Sequence, residues 1–512
     1  MAQIDETAGS LDGRFNPSLW LATSDWPEFP PLRGDMAAQA VVVGSGITGL
    51  TAARLLMEEG LTVALIDSGR LCSGITAFTT AKVTALQSTI YSELTDVWGR
   101  EVAATYAAAN LAGLDMIRRS VEQDQIECDL RSAPAYTYAE SAAGVEKIEA
   151  EVVAAQRAGL RVSFTSRSEL PYEIAGAVRL DDQARFHPRR YSLGLLRGVL
   201  SRGGAVFEHT RAIDIDHGSG TVTTDRGTIS AAVIVVASHI PFVDTGAYFA
   251  RMTSSRSYAI AVRTEHQPLE GMYISVDEPI RSLRAAESGL TVVGGESHPV
   301  GHDEDTRDRY RALESWATER LGADAVDYQW SAHDYRSADR LPFVGPIGSS
   351  GRVFVATGFA KWGMTNGSTA AAIMVDLAMG RPNQFAPIFD SKRLALKQGT
   401  PGILRAAADM AKGLVGDRLL HSPELDVGDL SPGSGDVVSM DGHKAAVFRE
   451  EDGSIRAISP FCTHRGCQVE LNTAERTWDC PCHGSRFDLD GRVLHGPAVD
   501  DLTPVEQAPA EA

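Results

Sequence analysis

The chain has 512 residues, with 48 Lys and Arg against 67 Asp and Glu for a formal charge of −19, and is 43% hydrophobic and 22% charged. At roughly 100–200 residues per domain, that length predicts two to four domains, and the composition excludes an intrinsically disordered chain. Acidity without a clustered Lys/Arg run excludes a nucleic-acid binder, and the lack of any apolar stretch near the ~18 residues needed to cross a bilayer predicts no membrane span.

The first 35 residues are acidic and Pro-rich, without a basic start or an apolar h-region, so a cytoplasmic protein is expected. They read as a polar tail holding Trp20, Trp26 and Pro27. Ala40-Val41-Val42-Val43 then runs into Gly44-Ser45-Gly46-Ile47-Thr48-Gly49-Leu50 and a helix-prone stretch to Met57, the pattern of strand, tight turn and helix. A second strand, Leu61 to Ile66, ends at Asp67 and completes a βαβ unit. Residues 98 to 160, rich in Ala, Glu and Leu, read as helices, including Glu101 to Arg119 and Gly144 to Ala158. Strands are expected at Ala205 to Glu208, Thr221 to Thr224, Ala232 to Ala237, Tyr258 to Val262 and Leu290 to Val293. Val353 to Ala356 reads as a further buried strand, followed by Gly358 and a small-residue helix from Ser368 to Met379. A helix over about Ile403 to Leu420 and a linker ending in Ser431-Pro432-Gly433-Ser434-Gly435 lead to short alternating strands, with turn pairs Asp452-Gly453 and Asp490-Gly491, that favour a small β domain.

Gly44, Gly46 and Gly49 form G-x-G-x-x-G directly after a strand. The first glycine permits the turn, the second admits a pyrophosphate against the backbone, and the third lets helix and strand pack closely, with phosphate charge at the helix N-terminus. Asp67 then stands where a carboxylate accepts hydrogen bonds from a ribose.

Over about residues 37 to 390 the chain resembles the FAD-dependent amine and amino-acid oxidoreductases of the D-amino-acid oxidase superfamily. Besides the glycine turn, the resemblance is carried by Gly69-Arg70 with the loop Ser73 to Lys82, by Ala237-Ser238-His239 closing a strand, and by Asp339 to Pro346 followed by Ala356 to Thr365. It implies FAD held by Gly44, Ser45, Gly46, Thr48, Gly49, Asp67 and Ser68, by Gly74, Thr79, Thr80 and Ala237, and by Gly358, Lys361, Trp362, Gly363, Met364 and Thr365. Gly358 and Gly363 let backbone lie against a flat ring, and the helix amides beyond them can stabilise negative charge on a reduced flavin, with Lys361 adding a cation.

Near the C-terminus come Cys462-Thr463-His464-Arg465-Gly466-Cys467 and Cys480-Pro481-Cys482-His483-Gly484-Ser485. Two thiolates and two imidazoles could hold zinc, but the C-x-H order does not fit zinc-finger spacing. Over about residues 424 to 508 the segment resembles the Rieske iron-sulfur domain. That resemblance implies a 2Fe-2S cluster with Cys462 and Cys480 on one iron and His464 and His483 on the other, which raises the potential above that of an all-Cys cluster. It further implies a disulfide between Cys467 and Cys482, a hydrogen bond from Ser485 to a cluster sulfur, and a covering loop at Leu494-His495-Gly496-Pro497. Trp478 reads as core, and Cys72 and Cys128 as small apolar residues.

The whole chain thus resembles bacterial FAD oxidoreductases with a fused C-terminal Rieske domain. The expected architecture is α/β: a Rossmann-like FAD-binding domain (37–97, 181–250 and 336–390) with an inserted α+β substrate domain (98–180 and 251–335). An N-terminal extension (1–36), a helix and linker (391–423) and an all-β Rieske domain (424–508) complete it. The expected activity is oxidation of a small amine or amino-acid-like molecule by hydride transfer to flavin, with electrons leaving singly through the cluster to an external acceptor. An oxidase using oxygen directly and a non-catalytic electron-transfer protein are the alternatives. Arg256, Tyr258, Tyr273 and Arg336 are candidates to hold a substrate carboxylate, with Lys361 as a catalytic cation and no evident base. A Rieske oxygenase would need a mononuclear iron; His298, His302 and Asp305 have suggestive spacing, but Pro299 breaks any shared helical face.

Overall fold

The computed structural model describes residues 16–394 and 426–505, except 244, 302–304 and 441. The helix expected over Ile403 to Leu420 lies outside the described residues. A six-stranded sheet runs in the order Phe343–Ile347, Val353–Thr357, Val233–Val236, Ala40–Val43, Val63–Ile66, Ala205–Phe207, parallel except at the Phe343–Ile347 edge. Its central strands are unbroken apolar runs because both faces are covered. Alternate residues serve different cores. Ala40, Val42, Val63 and Leu65 face the one containing helices Ile47–Glu58, Pro188–Ser201 and Gly363–Ala378. Val41, Val43, Ala64 and Ile66 face the one beneath a small four-stranded sheet that includes Thr221–Thr224 and Gly227–Ser230.

A second, nine-stranded sheet draws its strands from Lys82–Val83, from residues 131–185 and from residues 252–337. Its longest members, Met252–Thr264 and Ala323–Ser337, pair antiparallel along nearly their whole length. The helices expected between 98 and 160 form at Arg100–Gln123 and Ala142–Arg157, but Arg131–Ala139 between them is a strand. Pro134 cannot continue a helix, and Tyr136, Thr137 and Tyr138 suit the pleated surface on which they are buried. The polar-tail reading of the N-terminus is also corrected: Trp20 is fully buried and its indole N–H donates to Thr79 O at 2.7 Å.

Residues 426–505 form two small sheets, one of Ser434–Met440, His443–Arg449 and Ile455–Ile458, the other of Glu470–Asn472, Thr477–Asp479, Arg486–Phe487 and Val493–His495. This unit is pinned to the rest of the chain. Arg256 donates to Asp479 at 2.6 Å with both side chains almost fully buried, Tyr310 OH donates to Glu475 at 2.5 Å, and Thr306 Oγ1 donates to Asn472 at 2.8 Å.

Candidate functional site

The expected flavin positions line one cleft of about 1290 Å³ lying at the C-terminal ends of the parallel strands, with the exception of Gly49 and Thr365. Gly49 acts at the turn's base: a Cβ there would stand 1.8 Å from Gly44 O, so only glycine lets helix Ile47–Glu58 approach its strand. Thr365 faces helix Arg100–Gln123, its hydroxyl donating to Asn110 at 2.6 Å. Helices Ile47–Glu58 and Gly363–Ala378 both begin on the cleft without a first-turn acid, the former with Ile47 N donating to Thr76 Oγ1 at 3.0 Å. Such ends favour anionic groups, so a dinucleotide pyrophosphate and the electron-rich edge of a flavin both fit the cleft. Asp67 accepts from Ser45 N at 2.8 Å and from the Ser45 hydroxyl at 2.5 Å, tying the glycine turn to the second strand.

Lys361 lies on the loop entering helix Gly363–Ala378, and its ammonium donates to Ser297 Oγ at 2.6 Å. Protein crowded around the cleft lowers it to about 8, against the opposing pull of Asp334. Arg336 also lines the cleft, already paired with Glu93 at 2.9 Å, which Arg340 reaches at 3.3 Å. Arg256 does not line it: its guanidinium belongs to the buried Asp479 pair and to Ser331. Tyr258 borders the cleft, but its hydroxyl is engaged with His298 at 3.1 Å, and Tyr273 is buried in a stack on Tyr136. Of the alternative iron ligands, His298 and Asp305 are each engaged with other partners. His298 is held between Tyr258 and Pro299 O, Asp305 binds Arg307 and Thr473, and His302 lies outside the described residues.

Sequence reasoning missed two groups on the cleft wall. Lys82 is buried, donating to Tyr273 O and Ser282 Oγ, each at 2.5 Å; burial and then Arg284 lower it to about 7. A lysine inside the run Ala81-Lys82-Val83 was the available signal. The second group is His239, His333 and His495 with Asp334. Burial, then the neighbouring His495 and His239, push His333 well below the usual histidine range. These residues come from three separate segments, and nothing local links them.

The cluster residues meet between two matched loops. Cys462 N donates to Cys467 O and Gly466 N to Cys462 O, while Cys480 N donates to Ser485 O and Gly484 N to Cys480 O, each at 2.8 or 2.9 Å. A Cys467–Cys482 disulfide staples the loops. Cys462 and Cys480 remain as free buried thiols, and the His464 and His483 rings stand 5.0 Å apart at 85° with both Nδ1 atoms buried. The Cys462 thiol is lowered to about 7 by hydrogen bonding from Cys480, helped by the His464 N–H and the Ser485 hydroxyl. Two thiols, two imidazoles and donors aimed at sulfur are what a histidine-ligated 2Fe-2S cluster requires. Ser485 is fully buried and its hydroxyl also accepts from Ala498 N at 3.1 Å, holding the loop that follows His495. Trp478 packs in the core of this unit, and Cys72 and Cys128 are buried elsewhere.

Residues 39–377 match the family of FAD dependent oxidoreductases (DAO), and residues 422–507 match the Rieske [2Fe-2S] domain. The chain is similar, at 37% identity over 501 residues covering 96% of it and 97% of the relative, to the putative Rieske 2Fe-2S iron-sulfur protein YhfW of Bacillus subtilis (strain 168). It is 20% identical over 382 residues to gamma-glutamylputrescine oxidoreductase of Escherichia coli (strain K12), covering 71% of this chain and 89% of that one. Among solved structures, glycine oxidase from Geobacillus kaustophilus shares the fold with a TM-score of 0.60 at 18% identity, over 70% of this chain and 99% of that one. With the glycine turn, the cleft and the paired cluster loops in place, the chain belongs to the FAD-dependent oxidoreductases of the DAO family, and it carries a C-terminal Rieske 2Fe-2S domain.

Proposed function

We propose that the protein oxidises the C–H bond beside the nitrogen of a small amine or amino-acid-like substrate and passes the electrons through its cluster to an external acceptor. FAD in the cleft would take two electrons as hydride, and the 2Fe-2S cluster would carry them onward one at a time. One observation carries this reading: a short bonded path joins the flavin-side loop to a cluster ligand. Lys361 N donates to Asp334 at 2.5 Å, Tyr335 is the next residue, and its hydroxyl donates to His483 O at 2.9 Å.

The residues divide the work. The N-termini of helices Ile47–Glu58 and Gly363–Ala378 bind and orient the dinucleotide. Lys361 holds positive charge on the flavin side, where negative charge accumulates during reduction. On the substrate side Glu93 is held between Arg336 and Arg340, and Glu296 between Arg281 and Arg309, so the wall offers arginines that can orient a carboxylate. Lys82, with its value near neutrality, can hold a proton released by the substrate nitrogen. Arg256 docks the Rieske domain through Asp479. The relative named for gamma-glutamylputrescine supports a nitrogen-bearing substrate.

Anaerobic mixing with a panel of amines and amino acids tests the proposal. The expected result is loss of flavin absorbance followed by the paramagnetic signal of the reduced cluster. A flavin that is reduced while the cluster stays oxidised, and that is reoxidised directly when oxygen is admitted, would favour an oxidase instead.

A further inference from the structure

His239 follows the strand Val233–Val236, His333 lies in Ala323–Ser337, and His495 ends Val493–His495 of the Rieske domain. Their ligand nitrogens all lie within 4.8 Å of one another on the cleft wall. His239 Nδ1 and His495 Nε2 are 3.2 Å apart, close to the separation of about 3.3 Å that two nitrogens take around a tetrahedral ion with ~2.0 Å bonds. The His333 ring stands 4.2 Å from that of His495, nearly perpendicular to it. His333 is 1% exposed, and its Nδ1 is buried with no hydrogen-bond partner. Such an orphaned nitrogen in a polar corner calls for a ligand.

The surroundings already have the form of a metal site. Asp334 accepts from His239 Nε2 at 3.0 Å, which fixes the tautomer and leaves Nδ1 with its lone pair turned toward His495. The Tyr335 hydroxyl lies 3.4 Å from His333 Nε2, which leaves Nδ1 as the nitrogen available to an ion.

We propose that His239, His333 and His495 together bind one divalent transition-metal ion of the zinc class, with the fourth position open to the cleft. Three imidazoles suit Zn²⁺ better than the hard cations, which prefer oxygen. Two ligands come from the flavin side and one from the Rieske domain, so the ion is a clasp across the interface. This inference does not depend on the substrate or on the direction of electron flow.

The test is Zn²⁺ titration of chelator-dialysed holoprotein by calorimetry, with X-ray absorption at the zinc edge, which the cluster irons do not obscure. One equivalent should bind, with nitrogen and oxygen neighbours near 2.0 Å and no sulfur shell. His333→Gln and His495→Gln should each weaken binding at least tenfold, while flavin absorbance and the reduced-cluster signal report that each variant remains folded. Should the buried His333 variant fail to fold, His495→Gln at the interface carries the test. No stoichiometric uptake, a zinc–sulfur shell, or unchanged affinity in the folded variants would overturn the proposal.

Discussion

The cluster pocket and the cleft wall are built in opposite ways. Both cluster loops close on their own backbone hydrogen bonds, and a disulfide joins them, so a short stretch of chain brings the two thiols and two imidazoles together. The cleft wall is assembled from distant segments: Lys82 is positioned by Tyr273 and Ser282, and Lys361 by Ser297 and Asp334. The pocket should therefore be lost or kept as a unit, whereas the wall should respond to changes far away in the chain.

The sharpest way to break this contrast is Cys480→Ser. It should abolish the cluster signal while the protein stays yellow with FAD, read by paramagnetic resonance and by flavin absorbance. Gly49→Val should do the reverse, emptying the cleft of FAD and costing about 3 kcal/mol, since its side chain would enter Gly44 O. Denaturant melts and cofactor content check both halves. Arg256→Met leaves Asp479 buried with only Arg486 as a cation, at 3.2 Å, and should destabilise by about 3 kcal/mol. Substrate-driven flavin reduction should survive that change, whereas transfer to the cluster should slow; a raised KM with an unchanged melt would restore Arg256 as a substrate anchor.

Lys361→Met should slow flavin reduction roughly tenfold. Because this ammonium is lowered to about 8, its charge is present below that pH and lost above it. The wild-type rate should therefore fall as pH rises through about 8, and the variant should lack that limb in stopped-flow measurements. At Lys82 the effect expected is on the pH dependence of stability, its value being about 7 in the fold against roughly 10.4 in the unfolded chain. Between those values the unfolded state binds more protons, so stability rises with pH across that window. Lys82→Met should flatten the rise in thermal melts taken from pH 7 to 10.

The same contrast explains what could be read from the sequence. The grouping of Cys462, His464, Cys480 and His483 and the glycine turn were legible because the physics that fixes them is local: thiols and imidazoles at fixed spacing, and a turn that no Cβ can enter. The valine runs of the parallel sheet were legible for a similar reason. Arg131–Ala139 was hidden by its Ala-rich neighbours, and Trp20 by a polar context that says nothing about tertiary burial. Arg256 was misplaced because alternation along a strand gives the face of a residue but not its partner, and that partner, Asp479, lies in another domain. The histidines at 239, 333 and 495 carry no mutual signal, since they lie on three distant segments that only tertiary packing brings together.

Phe249 stands edge-on to both His464 and His483, at 5.6 and 5.2 Å, and Arg465 lies over its ring. The imidazole end of the cluster is thus turned inward and capped by the flavin domain. In this docked arrangement both imidazoles meet the flavin side of the molecule at Phe249, so the histidine face is the one turned to the internal junction.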